Sequence, residues 1–173
     1  MNTIFPVQLF NTKLANPDFS KFVFNMKNTF INKPCNALWT SSLIYYSDLN
    51  DDLEKFPVSS WLMWCIFEDF RIHEHTFIVR PKPNLKVFEL NDNNMSELLL
   101  TDETEQGFIN FAKLKIQGYD GFHLTEKMLY EYKYELFSTW DVESTCWFNT
   151  SWIDSIEEIP NYKDKLIKYC KNK

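Results

Sequence analysis

Hydrophobic and polar residues change period several times along the chain. Thr3 to Phe10 alternate loosely among β-branched, aromatic and polar types, which predicts a first strand, and Asn16-Pro17-Asp18 supplies turn chemistry after it. Helix or loop follows to Phe30. Beyond Lys33-Pro34, Ala37 to Tyr45 reads as a strand. Period two sets Leu38, Thr40, Ser42 and Ile44 on one face and Trp39, Ser41, Leu43 and Tyr45 on the other, so hydroxyls occur on both. The acidic stretch Asp48 to Glu54 reads as an exposed loop. Ser59 or Ser60 then caps a helix to about Arg71. Trp61, Trp64, Cys65 and Glu68 share its stripe, and the two tryptophans are read as core.

Thr76 to Arg80 and Leu85 to Leu90 are short apolar runs joined by Pro81-Lys82-Pro83-Asn84, which predicts a hairpin or a tight bend. Asp92 to Gln106 is polar and acidic around Leu98-Leu99-Leu100. Phe108, Phe111, Ala112 and Leu114 then follow a helical period that Gly118 ends. Tyr119 to Leu124 reads as a strand, Thr125 caps a helix from Glu126 to about Phe137, and Trp140 to Phe148 reads as another strand. The pattern predicts an α+β fold in one domain over residues 1–173, with 161–173 as a lysine-rich helix packed on the outside.

Composition narrows the function classes. With 173 residues there is no room for a second catalytic domain, and 45% hydrophobic content supports a folded core. Three glycines (Gly107, Gly118, Gly121) cannot write a Walker A loop or a GxGxxG fingerprint. The net charge of −6 and only two arginines, Arg71 and Arg80, disfavour generic nucleic-acid binding. Cys35, Cys65, Cys146 and Cys170 lack CxxC spacing and His73, His75 and His123 make no metal pattern, so no metal is expected. With no signal-like start and no apolar run long enough to span a membrane, the expectation is a cytoplasmic protein with reduced thiols.

The richest candidate chemistry lies in Trp140-Asp141-Val142-Glu143-Ser144-Thr145-Cys146-Trp147-Phe148-Asn149. As a strand it puts Val142, Ser144, Cys146 and Phe148 on a core face. Asp141, Glu143, Thr145, Trp147 and Asn149 then share a face that reads either as a polar cleft with an aromatic wall or as a half-exposed strand with solvated carboxylates. Cys146, on the apolar face, reads as a buried inert thiol. His73-Glu74-His75 reads as an exposed charged loop at a helix end, and no GxSxG elbow supports a hydrolase triad.

Taken in order, Asn36-Ala37-Leu38-Trp39-Thr40-Ser41-Ser42, Ser60 to Cys65, Gly118-Tyr119-Asp120-Gly121 and Trp140 to Asn149 resemble a group of small, mostly phage and bacterial, uncharacterised proteins. That group in turn looks like the ADP-ribosyltransferase fold, and the likeness runs from about Asn36 to Ile159. It implies a split pair of small β-sheets with flanking helices, with NAD held between them as a substrate. In that family a strand with an aromatic residue followed by Ser/Thr supports the nicotinamide ribose, and Trp39-Thr40-Ser41 matches it. A glutamate near the C-terminus binds the ribose 2′-hydroxyl; Glu143 is the nearest match and Asp141 the second. Tyr119-Asp120-Gly121 resembles the strand that often precedes that glutamate. A carboxylate fixed there would stabilise the positive charge that develops on the sugar as the nicotinamide bond breaks. Trp39, Tyr45 or Trp147 would stack on a ring of the ligand, or else serve as core.

One departure from the family pattern bears on activity. The first strand there usually offers an arginine or histidine to NAD, and Val7 to Lys13 has neither. Lys13, Gln8 or Asn11 would substitute weakly, or a cationic contact comes from elsewhere. The partner implied by an active site is a macromolecular acceptor. The rival readings are a non-catalytic protein that binds and blocks a host protein through its acidic and aromatic surface, and a sensor that binds NAD or a related nucleotide without turnover.

Overall fold

The computed structural model describes residues 5–29, 32–46, 56–95 and 109–171. The elements run β1 (Gln8–Thr12), β2 (Asn25–Asn28), β3 (Pro34–Asn36), β4 (Leu38–Ser42), β5 (Ile44–Tyr46), β6 (Phe56–Val58) and α1 (Ser60–Phe67). They continue with β7 (His75–Pro81), β8 (Val87–Glu89), α2 (Phe111–Ile116), β9 (Gly121–Leu124), α3 (Glu126–Glu131), β10 (Ser144–Trp147), β11 (Ile153–Glu158) and α4 (Tyr162–Lys171). The fold is mixed α and β. The loop read at Asp48 to Glu54 and most of Asp92 to Gln106 lie outside the described residues.

Seven strands form one curled sheet in the order β11-β7-β1-β4-β10-β9-β8, antiparallel except for β8 beside β9. Two further ribbons pair β2 with β3 and β5 with β6. Residues opposite one another share a face. Leu9, Ile78, Trp39, Cys146 and Phe122 thus point one way, towards the helices. At one end Phe122 and Cys146 pack with Phe111 and Leu114 of α2 and Met128 and Leu129 of α3. At the other, Leu9 packs with Leu62 and Cys65 of α1 and with Tyr162 and Leu166 of α4. The opposite face carries Leu38, Phe77, Val79 and Trp147, covered by Trp152 and by Phe5, Phe19 and Phe22 of the N-terminal segment.

The β1–β4 pairing carries the most consequence for the site. These strands pair only at Gln8↔Ser42 and Leu9↔Ser41. Past that point β1 stays paired with β7 as far as Thr12↔His75, and β4 stays paired with β10 as far as Leu38↔Trp147. Phe10 to Thr12 and Leu38 to Thr40 are left without each other, so the sheet opens between its two halves.

Local signals explain several boundaries. Ser59 Oγ accepts from the Leu62 N–H at 3.4 Å and Thr125 Oγ1 from the Met128 N–H at 3.3 Å, so both expected caps start their helices. Gly118, at φ 79°, ends α2 in the left-handed region that costs glycine nothing. Gly121 has a different reason: a Cβ there would lie 2.8 Å from Trp147 Cε3, so the indole of β10 occupies the space a side chain would need.

Three expectations are corrected. β7 and β8 do not form a hairpin, because β11 fills the place beside β7 and β8 crosses to the far edge, parallel to β9. Asp120 draws the chain there, accepting from the Lys86 N–H at 3.0 Å through its side chain and donating its own N–H to Lys86 O at 2.8 Å. The strand read from Trp140 begins only at Ser144, so period two does not carry back to Asp141. The strand read through Tyr45 is interrupted at Leu43, where the chain leaves the large sheet for the β5–β6 ribbon.

Candidate functional site

A cavity of about 440 Å³ occupies the opening between the sheet halves, within the size range of small-molecule sites. Leu9, Phe10 and Asn11 form one wall and Leu38 to Ser41 the other. Trp61, Phe70, Arg71 and His73 close one end, and Lys33, Trp140, Asp141, Val142 and Ser144 the other. Trp39, Ser41 and Asp141, singled out in the sequence, therefore meet at one hollow, and Thr40 contributes to its wall.

Glu143 stands directly behind Ser41. Its carboxylate accepts from Ser41 Oγ at 3.0 Å, from Ser42 Oγ at 2.8 Å and from the Ser42 N–H at 3.0 Å. Glu143 does not itself line the cavity, and Ser41 is the side chain that touches both. Ser41 Oγ also receives a long contact, 3.5 Å, from the Trp61 N–H in the first turn of α1. The positive end of that helix thus points through a serine hydroxyl at the carboxylate. Burial pushes the Glu143 carboxyl above its ordinary range, with the Ser42 and Ser41 hydrogen bonds pulling the other way and Glu126 adding a small upward push.

The cavity ends carry charge. Lys33 Nζ donates to Thr139 O at 2.6 Å and lies 5.7 Å from the ring centre of Trp39 and 5.8 Å from that of Trp140. Burial lowers its ammonium pKa, against the pull of Asp141. Asp141 also lies 3.8 Å from Lys133 Nζ. At the opposite end Arg71 makes no hydrogen bond or ion pair among the described residues, whereas Arg80, which does not line the cavity, is engaged by Glu157 at 3.0 Å. His73 is half-buried, with Nδ1 enclosed and lacking a hydrogen-bond partner.

Asn11 holds that charged end against the sheet. Its Oδ1 accepts from the His73 N–H at 2.8 Å, and its Nδ2 lies within 3.0 Å of His73 O, 3.1 Å of His75 O and 2.9 Å of Thr76 Oγ1. A first-strand asparagine thus fixes the segment that brings Arg71 and His73 to the cavity.

The remaining singled-out residues lie elsewhere. Trp147 is fully buried on the opposite sheet face, stacked on Trp152 at 3.8 Å and donating from Nε1 to Thr40 Oγ1 at 2.8 Å. The face read as a polar cleft is therefore closed, because a central strand is covered on both sides. Tyr45, 55% exposed in β5, and Lys13, exposed beyond β1, do not line the cavity. Cys146 is buried and burial pushes its thiol pKa up. Trp61, read as core, is half-buried: it packs against the core around Leu9 and Leu62, stacks on Trp64 at 5.1 Å and also lines the cavity.

Lys33, Arg71 and the latching role of Asn11 were not read from sequence, and the rarity of arginine is the available signal for Arg71. Trp140 heads the segment singled out for its chemistry, whereas His73, read as part of an exposed charged loop, lines the cavity instead. No family model, curated protein or solved structure matches the chain, so the site is read from its own geometry. No helix among the described residues is long and apolar enough to cross a membrane.

Proposed function

We propose that the protein transfers ADP-ribose from NAD to a macromolecular acceptor, with the cavity between β1 and β4 as the NAD site. The observation that carries this reading is the Ser41–Glu143 hydrogen bond at the cavity wall, which couples a hydroxyl facing the ligand to a fixed carboxylate. The resemblance implies a split pair of small sheets, whereas the seven strands here form one continuous sheet that opens only beyond the two β1–β4 pairs; that opening is the feature that supports the reading. Arg71 supplies the cationic contact missing from the first strand, while burial and the nearby Lys13 and Arg71 charges lower the His73 pKa and disfavour its cationic form, and Trp39 and Trp61 offer rings for stacking.

In this reaction the bond from the ribose C1 to the nicotinamide nitrogen breaks, and its electron pair leaves with neutral nicotinamide. Positive charge then develops on the sugar, where the Glu143 carboxylate, acting at short range through Ser41, stabilises it. The acceptor's lone pair forms the new bond at C1. Asp141, on the cavity wall, is the carboxylate positioned to take the acceptor's proton.

Incubation with labelled NAD and a bacterial extract tests the reading. The expected result is labelled acceptor with free nicotinamide, reduced by about 10²–10³ in Glu143→Gln. Neither product, with the variant indistinguishable from the parent, would overturn it. One observation favours a second reading, a nucleotide sensor: Glu143 reaches the cavity only through Ser41. Saturable NAD binding without nicotinamide release would select that reading.

A further inference from the structure

The Glu143 carboxylate has another neighbour on the closed face of the sheet. His123 of β9 lies opposite Thr145 of β10, and its Nδ1 is 2.9 Å from Thr145 Oγ1 and 3.4 Å from Glu143 Oε1. Only 8% of the His123 side chain and 9% of that of Glu143 are exposed, and Phe5 stands edge-on to the imidazole at 5.3 Å. Building on the reading of Glu143 as the carboxylate that acts on the ribose through Ser41, we infer that His123 is its positioning residue. The Nδ1–H of His123 is shared between Thr145 and the carboxylate and fixes the direction in which Glu143 faces Ser41.

Donor and acceptor arithmetic sets that tautomer. Thr145 Oγ1 can pair with Nδ1 in either tautomer, so the carboxylate decides: with Glu143 ionised, a bare Nδ1 would set lone pair against lone pair, whereas Nδ1–H is a shared donor. A second chain fixes the serine side. Trp147 Nε1, a donor only, gives to Thr40 Oγ1 at 2.8 Å, and Thr40 Oγ1 therefore gives its own hydrogen to Gln8 Oε1 at 2.7 Å. Gln8 Nε2 then gives to Ser42 Oγ at 3.3 Å, which leaves the Ser42 hydrogen for Glu143 at 2.8 Å. Polarity runs one way from the indole to the carboxylate, and His123 approaches the same oxygen from the other flank. Burial lowers the His123 pKa, against the nearby charge of Glu89, while Glu126 is the charged neighbour of Glu143.

The test uses the full chain with ¹⁵N-labelled histidine and long-range proton–nitrogen correlation spectra, with His123→Asn assigning the signals by loss. The expected result is a neutral His123 with the proton on Nδ1, moving towards the Nε2–H tautomer in Glu143→Gln. A wild-type His123 protonated on Nε2 alone, or a tautomer population untouched by Glu143→Gln, would overturn the inference. In nicotinamide release, His123→Asn should lower kcat on the order of tenfold, with KM for NAD nearly constant and the acid limb of the pH profile displaced. An unchanged kcat and pH profile in an active enzyme would also overturn it. Absence of nicotinamide release from the wild type would remove the proposed reaction while the spectra still decide the pairing.

Discussion

The Ser41 hydroxyl donates to the Glu143 carboxylate at 3.0 Å, joining residues 102 positions apart across β4 and the entrance to β10. Ser41 faces the cavity and Glu143 lies behind it, so the carboxylate is held by donors before any ligand arrives. Such preorganisation avoids reorganisation when charge develops at the site.

Ser41→Ala removes one donor from a buried carboxylate and the acceptor of the Trp61 N–H. Urea unfolding should show a loss of about 1–3 kcal/mol, with Ser41→Thr losing less because it keeps a hydroxyl. An alanine variant as stable as the parent would mean that the hydrogen bond does not hold Glu143 in solution.

Asn11→Ala should release the segment from His73 to Thr76, whose four contacts with the Asn11 side chain lie between 2.8 and 3.1 Å. Backbone amide exchange at His73 should accelerate while β10 and β9 keep their protection. Equal acceleration across the sheet would point to global destabilisation rather than a local latch.

Gly121→Ala places a methyl where Trp147 lies, 2.8 Å from Cε3 and 3.0 Å from Cys146 O. Because the indole is stacked on Trp152 and hydrogen-bonded to Thr40, it cannot yield freely. The expected loss is about 1–3 kcal/mol by denaturant unfolding. Gly118→Ala tests a different cause, the left-handed φ, since nothing lies within 4 Å of its added Cβ.

The buried acid and the buried histidine give stability slopes of opposite sign. His123 has a lowered pKa in the folded state, so below about pH 6.5 the unfolded chain takes up its proton first and folding weakens as pH falls through that value. Glu143 has a raised pKa, so above about pH 4.5 the unfolded chain ionises first and folding weakens as pH rises towards the folded value. Relative to wild type, His123→Asn should therefore gain stability on acidification and Glu143→Gln on alkalinisation. Parallel pH profiles for all three chains would contradict the shifts.

The local parts of the fold were legible because they depend on neighbours in sequence. Ser59, Thr125 and Gly118 act within one helical turn, β4 follows short-range alternation, and β7 and β9 are short apolar runs. Ser41 and Glu143 both lie in the segments that carry the resemblance and are hydrogen-bonded to each other, but Glu143 stands behind the cavity wall rather than in the cavity. What sequence could not give was which face of β10 would be open: Trp152 and Phe5 close the Trp147 side from distant parts of the chain. The hairpin reading failed for the same reason, since strand order depends on long-range competition between β11 and β8. Arg71 and His73 reach the cavity only because Asn11, some sixty residues earlier, ties their segment down.

Titration of the protein with NAD, followed by tryptophan fluorescence, tests the cavity assignment most directly. The expected result is saturable quenching that weakens in Trp61→Ala and in Arg71→Ala and persists in Glu143→Gln, whose carboxylate lies behind the wall. Fluorescence unmoved by NAD up to about 1 mM, or quenching identical in all four chains, would contradict it.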